Sequence, residues 1–97
     1  MSNTPLEEAY NPAKAKQLIR AIISDGTVII TGHAKQEMLA DNLTSVDCVN
    51  VLRGGIVEPA EWVNGAWRYR VNTVKIYVVI EFESEKELVL VTAWRKT

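Results

Sequence analysis

The chain has 97 residues, 47% hydrophobic and 24% charged, with a formal net charge of −1 at pH 7; this is the profile of one soluble globular domain with a single modest core. No apolar run approaches membrane-spanning length, and the opening M-S-N-T-P-L-E-E lacks the basic and apolar regions of a secretory signal, so a cytoplasmic location without membrane attachment is expected. A single cysteine, Cys48, excludes an internal disulfide and a cysteine-built zinc site; no metal or cofactor is expected.

Residues 1–10 read as a flexible lead. Asn11 is suited to cap a helix with Pro12 at its first position, where a missing N–H costs nothing. Ala15, Leu18, Ile19, Ile22 and Ile23 follow at helical spacing until Asp25-Gly26 ends the pattern. T-V-I-I-T, residues 27–31, is a short β-rich run. T-G-H-A-K-Q-E-M, residues 31–38, then opens a short helix with Ala34 and Met38 on one side, broken at Asn42. Thr44 with Asp47 three residues on has the form of a capping box. The helix it starts is expected to bury Val46, Val49 and Leu52, with Cys48 as a small core residue, and to stop at Gly54-Gly55.

From Ile56 onwards the pattern is strand. I-V-E-P-A-E-W-V and A-W-R-Y-R-V flank Asn64-Gly65, the strongest short signal for a two-residue hairpin. Pro59 assigns the first of these runs to an edge or a bulge. A second tight turn at Asn72-Thr73 leads into V-K-I-Y-V-V-I-E-F, and E-S-E-K-E reverses the chain into L-V-L-V-T-A-W-R. Helices first and an antiparallel meander afterwards predict an α+β domain over residues 11–97, with the helices packed on one face of the sheet.

The turns predict a register. Asn64-Gly65 sets Glu61 opposite Arg68 and Trp62 opposite Trp67. A two-residue turn at Asn72-Thr73 sets Arg70 opposite Lys75 and Arg68 opposite Tyr77, while a loop over residues 83–87 sets Tyr77 opposite Ala93 and Lys75 opposite Arg95. Alternation then gives one face Trp67, Tyr69, Ile76, Val78, Ile80, Leu90 and Trp94, a surface for helices to cover. The other face carries Arg68, Arg70, Lys75, Tyr77 and Arg95. Such a face can be merely solvated, with Arg68 paired to Glu61. Arg70 opposite Lys75 is repulsive, however, and a polyanion laid across the face would relieve it. The overall charge is unfavourable for nucleic-acid binding, but its distribution is less so. Residues 1–61 hold five basic and eight acidic side chains, residues 62–97 six basic and four acidic.

The order of helix, short strand, T-x-H-A helix, glycine-ended helix and a meander closing in V-T-A-W-R-K resembles the RelE-like toxins of the barnase–EndoU–colicin–RelE fold. Two branches are most similar: an uncharacterised family in which a strand enters a His-Ala helix, and the motility quorum-sensing regulator toxins, which are mRNA interferases. The latter likeness runs over residues 14–97, through G-T-V-I-I-T, D-C-V-N-V-L and the closing strands. The resemblance implies a toxin of a type II toxin–antitoxin pair, an endoribonuclease that cleaves single-stranded RNA, free or ribosome-bound mRNA, by attack of the RNA's own 2′-hydroxyl. A cognate antitoxin would be its protein partner. By position it implies catalytic roles for Arg68, Tyr77 and Arg95, with the two arginines on the scissile phosphate, and RNA binding by Arg70, Lys75 and Lys96. His33, the only histidine, is open to two readings: proton transfer, or the start of its helix. Where the His-Ala family carries arginines this chain has Glu37 and Asp41, which keeps a second function in view: a non-catalytic module of the same fold that binds RNA or an acidic protein.

Overall fold

The computed structural model describes residues 8–97. Helix α1, Pro12–Asp25, starts as its sequence predicts: the Asn11 side chain accepts the Lys14 N–H at 2.8 Å, with Pro12 in the first turn. Its buried stripe is Ala15, Leu18, Ile19 and Ile22. Strand β1, Thr27–Ile30, follows directly. Helix α2, Gly32–Ala40, is capped by the Thr31 hydroxyl, which accepts the Ala34 N–H at 3.0 Å, and buries Ala34 and Met38. Helix α3, Ser45–Gly54, has the full capping box, Thr44 N–H to Asp47 at 2.9 Å and Asp47 N–H to the Thr44 hydroxyl at 3.1 Å. The Thr44 backbone N–H, followed by the Thr44 hydroxyl, holds the Asp47 carboxyl below its ordinary pKa.

The buried side of α3 differs from the expected one. Cys48, Val51 and Leu52 enter the core, while Val46 is 66% exposed. Steps of three fall short of the 3.6-residue turn, so Val46 lies about 120° around the helix from Leu52. The expected flexible lead lies mostly outside the described residues. Its last residue, Tyr10, is anchored: its N–H donates to the Tyr69 hydroxyl at 2.9 Å and its ring meets Phe82 edge-on.

Five further strands complete one mixed sheet: β2, Ile56–Val57; β3, Glu61–Val63; β4, Ala66–Asn72; β5, Ile76–Ser84; β6, Glu87–Arg95. The order is β1-β6-β5-β4-β2, and β3 also pairs with β4. The C-terminal strands form the expected antiparallel meander, to which β1 adds by running parallel to β6. The helices cover one face, where Val57, Tyr69, Val71, Val78, Ile80, Leu88, Leu90 and Ala93 are buried. The architecture is α+β. Among the described residues no helix is long and apolar enough to cross a membrane.

Two turns set the strand pairings. The first hairpin has the predicted register, with Asn64 and Gly65 at φ 50° and 85°, the left-handed pair that such a turn needs. Pro59 falls in the break between β2 and β3. There Val57 faces Val71 but Glu61 faces Arg68, so an extra residue is accommodated at the sheet edge. The second turn is longer than expected. The Thr73 hydroxyl accepts the N–H groups of Lys75 and Ile76, and the Thr73 N–H reaches the Ile76 carbonyl, which keeps Val74 and Lys75 out of the ladder. Asn72 therefore faces Tyr77 and Tyr69 faces Ile80. The register is displaced by an even number of residues, so every side chain stays on its expected face but meets a different neighbour.

Gly55 is the tightest junction between helix and sheet. A Cβ there would lie 2.6 Å from the Val51 carbonyl oxygen and 2.8 Å from that of Asn72, whereas nothing lies within 4 Å of one at Gly54. Gly55→Ala is expected to lose about 1–3 kcal/mol of stability. Gly54→Ala, a better helix former by about 1 kcal/mol, should hold or raise the melting temperature. Thermal unfolding of the two variants side by side checks this.

Candidate nucleic-acid interface

The sheet face opposite the helices carries Arg68, Arg70 and Asn72 from β4, Tyr77, Val79 and Glu81 from β5, and Thr92 and Trp94 from β6. The altered β4–β5 register brings Arg68 to Glu81 rather than to Tyr77, at 2.8 Å, with both side chains largely sheltered. Arg70 pairs with Glu61 across the edge at 3.2 Å, and this pair is exposed. Glu61 was the expected partner of Arg68; it faces that residue in the ladder but bonds its neighbour.

The β5–β6 ladder departs from the expected one near its end. Phe82 faces Leu88 and Ile80 faces Leu90 as the 83–87 loop predicts, but Val79 faces Thr92, leaving Val91 as an extra residue on β6. Beyond that bulge the side chains of β6 change faces. Ala93 is buried opposite Val78, and Trp94, expected in the core, lies on the open face opposite Tyr77. The two rings stack with centroids 5.1 Å apart and planes 29° from parallel. Lys96 places its ammonium 4.5 Å from the Tyr77 ring centroid and donates to the Asn72 side chain at 2.9 Å. Asn72 in turn donates to Glu58 at 2.8 Å. Tyr77, Trp94, Lys96, Asn72 and Glu58 thus form one connected group.

Arg95, expected on the basic face, is carried by the same bulge to the helix side. Its Nε donates to the Asp41 carbonyl at 2.8 Å and its Nη2 to the Asn42 carbonyl at 3.0 Å, so it closes the end of α2. The Asp41 carboxylate accepts the Arg95 backbone N–H at 2.8 Å, completing a reciprocal clasp. Lys75 is exposed in the β4–β5 turn, opposite neither Arg70 nor Arg95. His33 sits exposed in the first turn of α2, which packs on the β6 edge away from β5, so β6 separates it from Tyr77.

Of the residues singled out in the sequence, the structure therefore gathers Arg68, Arg70, Tyr77 and Lys96 on one face and sets Arg95, Lys75 and His33 elsewhere. Trp94, Asn72 and Glu58 are the additions. A signal for Trp94 was present: unbroken alternation from Leu88 and Leu90 would bury Thr92, an ill fit that a bulge removes. Among the described residues no group of His, Cys, Asp or Glu side chains is arranged to hold a metal ion. No family model matches the chain, and neither a curated protein nor a solved structure does.

Cys48 takes no part in this face. It is fully buried, and burial, followed by the nearby negative charge of Asp47, pushes its thiol up to about 11. A thiol-specific disulfide reagent at mildly alkaline pH is expected to label the native chain only as fast as it opens, and to label it promptly in urea.

Proposed function

We propose that the chain is a small toxin-type endoribonuclease of the cytoplasm that takes single-stranded RNA on its open sheet face and is held in check by an antitoxin covering that face. The observation that carries this reading is the Tyr77–Trp94 stack with the Lys96 ammonium over the tyrosine ring, on the face that also holds Arg68 and Arg70. Side-by-side aromatics with adjacent cations are the elements with which proteins hold unpaired bases and their phosphates. The open face has three cations, Arg68, Arg70 and Lys96, beside three carboxylates, Glu58, Glu61 and Glu81, so charge alone gives little attraction and stacking supplies the larger share.

In this reading the RNA 2′-oxygen attacks phosphorus and the P–O5′ bond breaks, leaving a 2′,3′-cyclic phosphate and a 5′-hydroxyl. Lys96 and Arg70 stabilise the charge that builds on the non-bridging oxygens, and the Tyr77 hydroxyl orients the reacting group. Arg95 supports the site indirectly, through the strand that carries Trp94 and Lys96.

The balance of carboxylates against cations favours a second reading, in which the same face binds RNA without cutting it. End-labelled single-stranded RNA separates the two. Wild type is expected to yield cyclic-phosphate ends, with ribosomes if not alone. Trp94→Ala should weaken binding by about 5- to 150-fold, the equivalent of about 1–3 kcal/mol of stacking. Lys96→Ala and Tyr77→Phe should slow cleavage by at least about tenfold. Arg95→Ala should lower the melting temperature while the cleavage rate of the folded fraction stays within about threefold. Salt-sensitive binding with intact RNA would leave only the second reading, and absence of both binding and cleavage would end the first as well.

A further inference from the structure

A second concave surface lies at the other end of the sheet, on the side that bears the helices but beyond their reach. Tyr10, Trp62, Trp67, Tyr69 and Phe82 line a cavity of about 600 Å³ there, within the range of ligand-sized sites. The rings hold one another edge-on: Trp62 and Trp67 at 5.1 Å and 67°, Tyr69 and Phe82 at 5.1 Å and 69°. Steep angles of this kind give the wall both ring edges and ring faces, and the faces carry the negative end of the aromatic quadrupole.

The rim is acidic. Glu8, Glu81, Glu83 and Glu85 border the cavity, and among the described residues no lysine, arginine or histidine does. Glu81 is paired with Arg68, but Glu8, Glu83 and Glu85 make no ion pair among the described residues. The contrast with the open face is informative. On that face Arg68 and Arg70 are ion-paired, whereas this cavity joins ring faces to carboxylates that, among the described residues, make no ion pair.

We propose that this cavity receives an arginine-bearing extended segment of a partner protein. A guanidinium fits both features at once, stacking on an aromatic face while its planar fork of N–H groups reaches a carboxylate. A peptide suits the cavity better than a free cation because Trp62 stands on β3, which among the described residues pairs only with β4. The other edge of β3 offers backbone groups to an incoming strand beside the pocket for its side chains. This inference does not depend on the RNA reading, since it uses neither Tyr77 nor Trp94.

The three tryptophans allow a direct test. Trp62 and Trp67 line the cavity, and Trp94 lies on the opposite face. The full chain, with its indole N–H signals resolved by NMR, is titrated with a short arginine peptide, with the same peptide carrying neutral citrulline, and with free arginine. The arginine peptide is expected to shift Trp62 and Trp67 and leave Trp94 in place, with the two controls inactive at the same concentration. The double variant Glu83→Gln/Glu85→Gln should weaken the peptide by at least about tenfold while the unliganded spectrum stays folded. Absence of any shift, movement of Trp94 instead, equal binding of the citrulline peptide, or unchanged affinity in the double variant would overturn the proposal. Free arginine binding as tightly as the peptide would overturn the protein partner and leave a small-molecule site.

Discussion

Val91 has no opposite number on β5, because the ladder passes from Val79 facing Thr92 to Ile80 facing Leu90. The strand on the other side of β6 ends at the same level: β1 stops at Ile30, which is paired with Leu90. Thr31 closes this junction, with its N–H on the Leu90 carbonyl at 3.3 Å and its hydroxyl within 3.5 Å of the Leu90 and Val91 carbonyls. The same hydroxyl caps α2. Helix α2 thus takes over from β1 along the rest of β6, and its far end answers the bare strand with the Asp41 carboxylate on the Arg95 N–H. Polar groups that an edge strand would leave open to another chain are satisfied from within. The bulge also exchanges Trp94 and Arg95 between faces, so the choice of side chains on the open face follows from this one irregularity.

That exchange alters what the open face can do. With Arg95 in the α2 clasp, the open face keeps Arg68 and Arg70, each ion-paired, and Lys96, which reaches Glu58 only through Asn72. A partly sheltered Arg68–Glu81 pair resists being opened by a passing phosphate, because separating it leaves a carboxylate to be resolvated. The exposed Arg70–Glu61 pair is held weakly and can be given up. In exchange for Arg95 the face gains the Tyr77–Trp94 stack, whose attraction is less sensitive to salt than that of an exposed charge.

Local chemistry made much of the fold legible. The Asn11, Thr31 and Thr44 caps and the Asn64-Gly65 hairpin each rest on a few adjacent residues, and each forms as its sequence implies. Even the β4–β5 faces survive a misplaced register, since the displacement is even. What was hidden depends on partners remote in sequence. Thr73 reads as an ordinary turn residue until its hydroxyl is seen to hold two N–H groups. The Val91 bulge lies beside the end of β1 and the start of α2, and its one local sign in β6 is Thr92, a polar residue where unbroken alternation would bury it. Arg68, Arg70 and Tyr77 could therefore be placed together from the sequence, whereas Lys96 and Arg95 exchange faces only because of the bulge.

Glu81 and Phe82 show how closely the two surfaces are joined. They are neighbours on β5, and Phe82 packs against Tyr69 and Tyr10 in the aromatic cavity while Glu81 both borders that cavity and holds Arg68 on the open face. Successive side chains of a strand point to opposite faces, so the Glu81 carboxylate lies with Arg68 on the open face while Phe82 turns into the cavity wall. The two surfaces are therefore joined through one stretch of backbone rather than through a shared charge: packing Phe82 against Tyr10 and Tyr69 fixes the strand that presents Glu81 to Arg68.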